Sequence, residues 1–142
     1  MKENYKTFIQ HSIESIGGKQ VSAQQIDDQA TISFSIDLHE KKFNVLIILG
    51  EMEDIVLVQI SCTLPSSYRE PDIKFYKILE KLNMNCVMGH IFFTNENDNY
   101  FIAYKSNYIC DIENFSANTS FTNYLSASID MIAVFDNELN VM

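Results

Sequence analysis

Cys86 and His90, four residues apart, are the pair in this chain whose types and spacing could do chemistry. A thiolate and an imidazole can bind zinc or act as nucleophile and base. Cys62 and Cys110 would complete a set of three thiolates and one imidazole, but the spacing is not that of a zinc knuckle. Cysteines beside an apolar sheet are ordinarily buried and need no metal. The other two histidines stand apart, His11 on the flank of a predicted helix and His39 in a predicted hairpin turn. There is no Gly-x-Ser-x-Gly elbow, no His-Glu-x-x-His pair and no phosphate-cradling glycine loop. The expectation is a protein that is not an enzyme and has no catalytic residues, no metal and no cofactor. A metal or thiol enzyme using Cys86 and His90 is one alternative.

The carboxylates Glu51, Glu53 and Asp54 lack the length and central glycine of a calcium loop and read as a solvated hairpin tip, as does Asp27-Asp28. Tyr68, Tyr100, Tyr104 and Tyr108 could stack on bases, yet no basic residues accompany them in the pattern of a nucleic-acid binder. With 19 acidic and 10 basic residues the formal charge is −9. Such a charge repels phosphate backbones and anionic lipid heads, so neither nucleic acid nor a membrane is an expected partner. Seven acidic residues against the single Lys105 fall between 96 and 142, an excess that would attract a basic or mixed polypeptide.

The length of 142 residues predicts one domain over 1–142. The N-terminal residues lack the apolar stretch of a secretory signal, the longest apolar run, 45–49, is too short to span a bilayer, and three widely spaced cysteines suit a reducing compartment. The expected location is the cytoplasm.

Candidate groups need elements to position them. Tyr5, Phe8, Ile9, Ile13 and Ile16 share one face at helical spacing, and Gly17-Gly18 ends that helix. The Gln-rich stretch 19–29 reads as a loop or weak edge element. Ile32, Phe34, Ile36 and Leu38 alternate with polar residues as a half-buried strand, and strands at 43–49 and 55–62 follow across a turn at 50–54. Pro65-Ser66-Ser67 breaks the sheet, and Pro71 suits the first turn of a helix with Phe75, Ile78, Leu79 and Leu82 on its core stripe. Strands at 87–94 and 100–109 flank the polar turn 95–99, and a last helix covers 120–139. The predicted class is α+β, in the order helix, three strands, helix, two strands, helix: an antiparallel sheet with helices on one face.

The middle strands carry more apolar surface than such a fold needs. With Phe43, Val45, Ile47 and Leu49 facing one way, Leu46 and Ile48 face the other. The last helix has a core stripe of Phe121, Leu125, Ile132, Phe135 and Leu139, and a second stripe of Tyr124, Ala127, Met131 and Val134 beside it. Surplus of this kind marks an interface, and a homodimer covers it with the commonest symmetry. The candidate interface is therefore Leu46, Ile48, Tyr124, Ala127, Met131 and Val134. A small-molecule sensor with a pocket beneath the last helix is a further alternative.

The Leu64-Pro65 step, the helix ending in Leu82-Asn83, the Gly89-His90-Ile91-Phe92-Phe93 strand, the Tyr100 to Tyr104 strand and the long last helix resemble landmarks of the bacterial YbjN family. The fold of that family is similar to that of the type III secretion chaperones. The resemblance covers the chain from about Ala30 onward. It implies a small acidic cytoplasmic homodimer that binds a polypeptide segment or acts as a regulator, or a type III secretion chaperone serving one effector. No site residues carry over from it.

Overall fold

The computed structural model describes residues 3–68, 72–115 and 119–140. Helix α1 (Glu3–Ser15) ends as glycine chemistry requires: Gly17 takes φ +91°, and the Gly18 amide reaches back to the Ile13 carbonyl at 2.9 Å. Four strands follow, β1 (Lys19–Ile26), β2 (Gln29–Leu38), β3 (Lys41–Met52) and β4 (Ile55–Tyr68). Helix α2 (Ile73–Met84) is started by the Asp72 carboxylate, which accepts from the Phe75 amide at 2.7 Å. Strands β5 (His90–Glu96) and β6 (Asn99–Asp111) and helix α3 (Ser120–Asn140) complete the chain. Among the described residues no helix is long and apolar enough to cross a membrane.

The expected order of three strands and then two is corrected here, because the sheet has six strands in the order β1-β2-β3-β4-β6-β5, all paired antiparallel. The missing strand is the Gln-rich stretch. β1 pairs with β2 but is an edge strand exposed on both faces, so nothing in its side chains needed to alternate. A second correction concerns Pro65. β4 runs past it to Tyr68, and the register against β6 shifts between Thr63 and Tyr68, an irregularity that accommodates a residue with no amide hydrogen. Pro71 lies outside the described residues.

All four hairpins close through two residues: Asp27-Asp28, His39-Glu40, Glu53-Asp54 and Asn97-Asp98. These tight links fix the register. Ile32, Ile47, Ile60 and Ser106 then fall in one row across the sheet, with Phe34, Val45, Cys62, Tyr104 and Ile91 in the next, all buried. The three helices lie over this inner face. Tyr5 and Phe8 of α1 meet Phe115, whose ring also packs edge-on to Phe121 of α3 at 5.1 Å. Phe75 of α2 packs on Phe93.

Among the polar contacts within this apolar layer, two tie the sheet strands to α3. Ser106 on β6 bonds to the Tyr124 hydroxyl at 2.8 Å and to Ser128 at 3.1 Å, joining sheet to α3 at a fixed position. Burial lifts the Tyr124 hydroxyl above the ordinary tyrosine value, while the bonds to Ser106 and Ser128 oppose that rise. At the far end of α3, Lys41 Nζ lies 2.9 Å from the carboxylate of buried Asp136. Removing the lysine takes a cation away from a carboxylate that water reaches poorly. Lys41→Met should therefore lower unfolding free energy by about 2 kcal/mol, less than a fully buried pair because Lys41 is partly solvated. Urea denaturation of the two proteins measures the difference.

The His39-Glu40 turn holds both residues at positive φ, 52° and 66°. A mirror-image turn of this kind is comfortable for Asn or Gly, whereas a side chain such as glutamate is strained by about 1 kcal/mol. Glu40→Gly should raise the thermal midpoint in a calorimetric scan, and a fall would show that the turn is not strained.

Candidate functional site

Helices on one side leave the other face of the sheet to solvent. Its residues are the alternates of the buried rows, so Leu46 and Ile48 of β3, Ile55 and Leu57 of β4 and Ile109 of β6 all point outward. Ile109 is 65% exposed and Ile26, at the end of β1, 63%. A groove of about 720 Å³ crosses this face, with Ile26, Ile48, Leu57 and Ile109 on its floor and Asp27 and Asp28 at one end. Gly50 lies in the groove on β3, and a Cβ added there would meet nothing within 4 Å. The Gln59 and Asn107 amides bond to one another at 3.3 Å along the groove.

The end of the sheet beside this groove is strongly acidic. Register brings the Asp27-Asp28 turn next to Glu51, whose amide bonds the Asp28 carbonyl at 3.3 Å. Glu53 and Asp54 form the next turn, and the Asp54 carbonyl accepts from the Ile112 amide at 2.8 Å, which draws Asp111 and Glu113 alongside. No lysine or arginine lies on these three loops. The acidic excess seen toward the end of the sequence is thus only part of the pattern. Folding gathers carboxylates from three separate stretches of chain.

A second groove, of about 580 Å³, runs between α2 and α3. Ile78, Leu82, Met131, Val134 and Phe135 line it, with Lys81 and Glu138 beside them. The six expected interface residues therefore divide. Leu46 and Ile48 are on the outer sheet face, Ile48 within its groove. Met131 and Val134 line the helical groove, with Val134 50% exposed, and Ala127 is exposed nearby. Tyr124 is buried within the protomer, its ring stacked on Tyr108 at 5.0 Å and its hydroxyl held by Ser106. Sequence reasoning missed Ile26, Gly50 and Ile109. The sequence places Gly50 in the 50–54 turn, whereas β3 continues through it to Met52, and Ile109 is flanked on its own face by polar Asn107 and Asp111, so neither carried a clear signal.

The cysteines and His90 do not converge. Cys62 is buried on the inner face opposite Tyr104, while Cys110 pairs with Val56, six residues and about 20 Å further along the strands. Cys86 follows α2 and donates to the Met88 carbonyl at 2.9 Å. His90 belongs to the outer face, in register with Lys105 and against the Phe92 ring. Among the described residues no three His, Cys, Asp or Glu side chains are grouped to hold a metal. Comparison with protein-family models and with curated proteins finds no match.

Burial, helped by the Asp136 charge, pushes the Cys62 thiol up to about 12, whereas Cys86 and Cys110 are half-exposed. A disulfide-exchange reagent at about pH 8 attacks thiolates that it can reach. Two thiols should react in the native protein and the third only after denaturation. Fast reaction of all three would contradict this placement of β4.

Proposed function

We propose that this chain is a non-enzymatic binding protein that takes a segment of another polypeptide on its outer sheet face and works as a homodimer. One observation carries the reading: all three helices lie over the inner face, and the opposite face presents outward-pointing Leu46, Ile48, Leu57 and Ile109 around a groove. A row of outward apolar residues continuous across neighbouring strands is the surface of this chain best suited to an interaction site. The resemblance to the YbjN family points the same way, toward a client-binding or regulatory role.

The dimer contact is assigned to the helical groove. Its apolar lining is flanked by Lys81 on α2 and Glu138 on α3, so a two-fold axis that sets α2 against the partner's α3 pairs the two charges twice. The contact is self-complementary despite the chain's net charge of −9. It leaves the sheet face free for a client.

Sedimentation should return twice the 16.4 kDa chain mass. Val134→Lys, which puts a cation into the helical groove, should shift the protein to monomer with its circular dichroism unchanged. A wild-type monomer at high concentration would remove the homodimer from the proposal, and a variant that stays dimeric would move the contact elsewhere.

A further inference from the structure

The outer groove has a chemistry that narrows its client. Its floor sets Ile26, Ile48, Leu57 and Ile109 beside the Gln59 and Asn107 amides, and its ends are not neutral. Asp27 and Asp28 stand at the β1 end. At the β6 end Asp111 follows Ile109 on the same face, being two residues further along the strand and in register with outward-facing Ile55. Between them the Glu53-Asp54 turn borders the same edge of the sheet. Basic residues on this face stand on the side of the groove away from the acidic edge: Lys105, two residues beyond groove-lining Asn107 and six from Asp111, is engaged over the Phe92 ring at 5.8 Å. Lys42 is at the opposite end, beside the His39-Glu40 turn.

Resting on the reading of the outer face as a polypeptide site, we infer that its occupant is an extended, basic segment of a partner protein with alternating apolar and cationic residues. From β1 to β6 the groove crosses four strand spacings, about 19 Å, the reach of about six extended residues. An extended segment sets alternate side chains on opposite sides, so its apolar set meets Ile48, Leu57 and Ile109 while lysines or arginines reach the carboxylates along the edge and at both ends. Charge selects against the competing occupants. A second copy docked here by a two-fold axis parallel to the strands would bring two acidic edges together, and an acidic peptide would meet the same repulsion. Gly50 gives the groove its depth, because any side chain at that position would project into the open space above the floor.

The probe is a fluorescein-labelled ten-residue peptide of alternating valine and lysine, compared by anisotropy with twins carrying glutamine or glutamate at the lysine positions. The lysine peptide should bind at least tenfold more tightly than the glutamine twin, and the glutamate twin should not bind. Raising salt from about 0.05 M to about 0.5 M should weaken the lysine peptide about tenfold, since the charges are solvent-exposed. Gly50→Leu should weaken it tenfold or more while leaving the melting temperature within a few degrees, and the combined Asp27→Asn, Asp28→Asn and Asp111→Asn protein should lose most of its preference for the lysine over the glutamine peptide. Ile109→Ser serves as a second floor variant should Gly50→Leu fold poorly. Equal binding of all three peptides by the native protein would overturn the basic-client inference and leave the polypeptide reading standing. Binding of none would overturn the reading of the outer face itself. Lysine-peptide binding that survives both the floor and the aspartate variants would place the attraction outside this groove and overturn the inference.

Discussion

Register is the constraint on which this structure depends. In a strand the side-chain period is two, so a slip of one residue would turn every buried residue of that strand outward. Four two-residue hairpins prevent such slips. The burial of Phe43, Val45, Ile47 and Leu49 and the exposure of Leu46 are consequences of where His39-Glu40 and Glu53-Asp54 turn the chain. Strain at the first of these turns is tolerated because the register it sets buries one face of two strands.

Helix α3 converts the registered sheet into a fixed layer. Apolar packing alone would let a 21-residue helix slide along a smooth surface of Ile and Val side chains. The Ser106 bonds to Tyr124 and Ser128 fix its position near one end, and the ion pair between Lys41 and Asp136 fixes it near the other. Buried polar groups are satisfied only in one alignment, so they favour a single arrangement over its neighbours. The Tyr124 ring, which by spacing reads as surplus surface, is needed inside for its hydroxyl.

What was legible in the sequence followed burial on one face. Ile32, Phe34 and Ile36, or Phe121, Leu125 and Ile132, announce their elements because one side of each is dry. β1 was not legible, because its pairing is made by backbone groups that every residue carries and its side chains face water on both sides. Pro65 misled for a related reason: a proline breaks a ladder but not always a strand, and here the ladder shifts around it. Leu46 and Ile48 were readable as outward apolar residues. The acidic end was not, since Asp27, Glu53 and Asp111 become neighbours only through the pairing of β2 with β3 and of β4 with β6.

One small contact separates the two edges of the sheet. The Asn83 side chain at the end of α2 donates its amide to the Ile91 carbonyl at 2.9 Å and accepts from the Ile91 amide at 2.8 Å, acting as one rung of a strand beside β5. β1, on the other side, carries Gln, Ser and Ala over most of its length. An assembly that grows by adding strands needs two open edges, one to receive and one to offer. With the rung at Ile91 already taken by Asn83, β5 offers an incoming strand one backbone pair fewer at its start, which makes that edge the poorer template for strand addition.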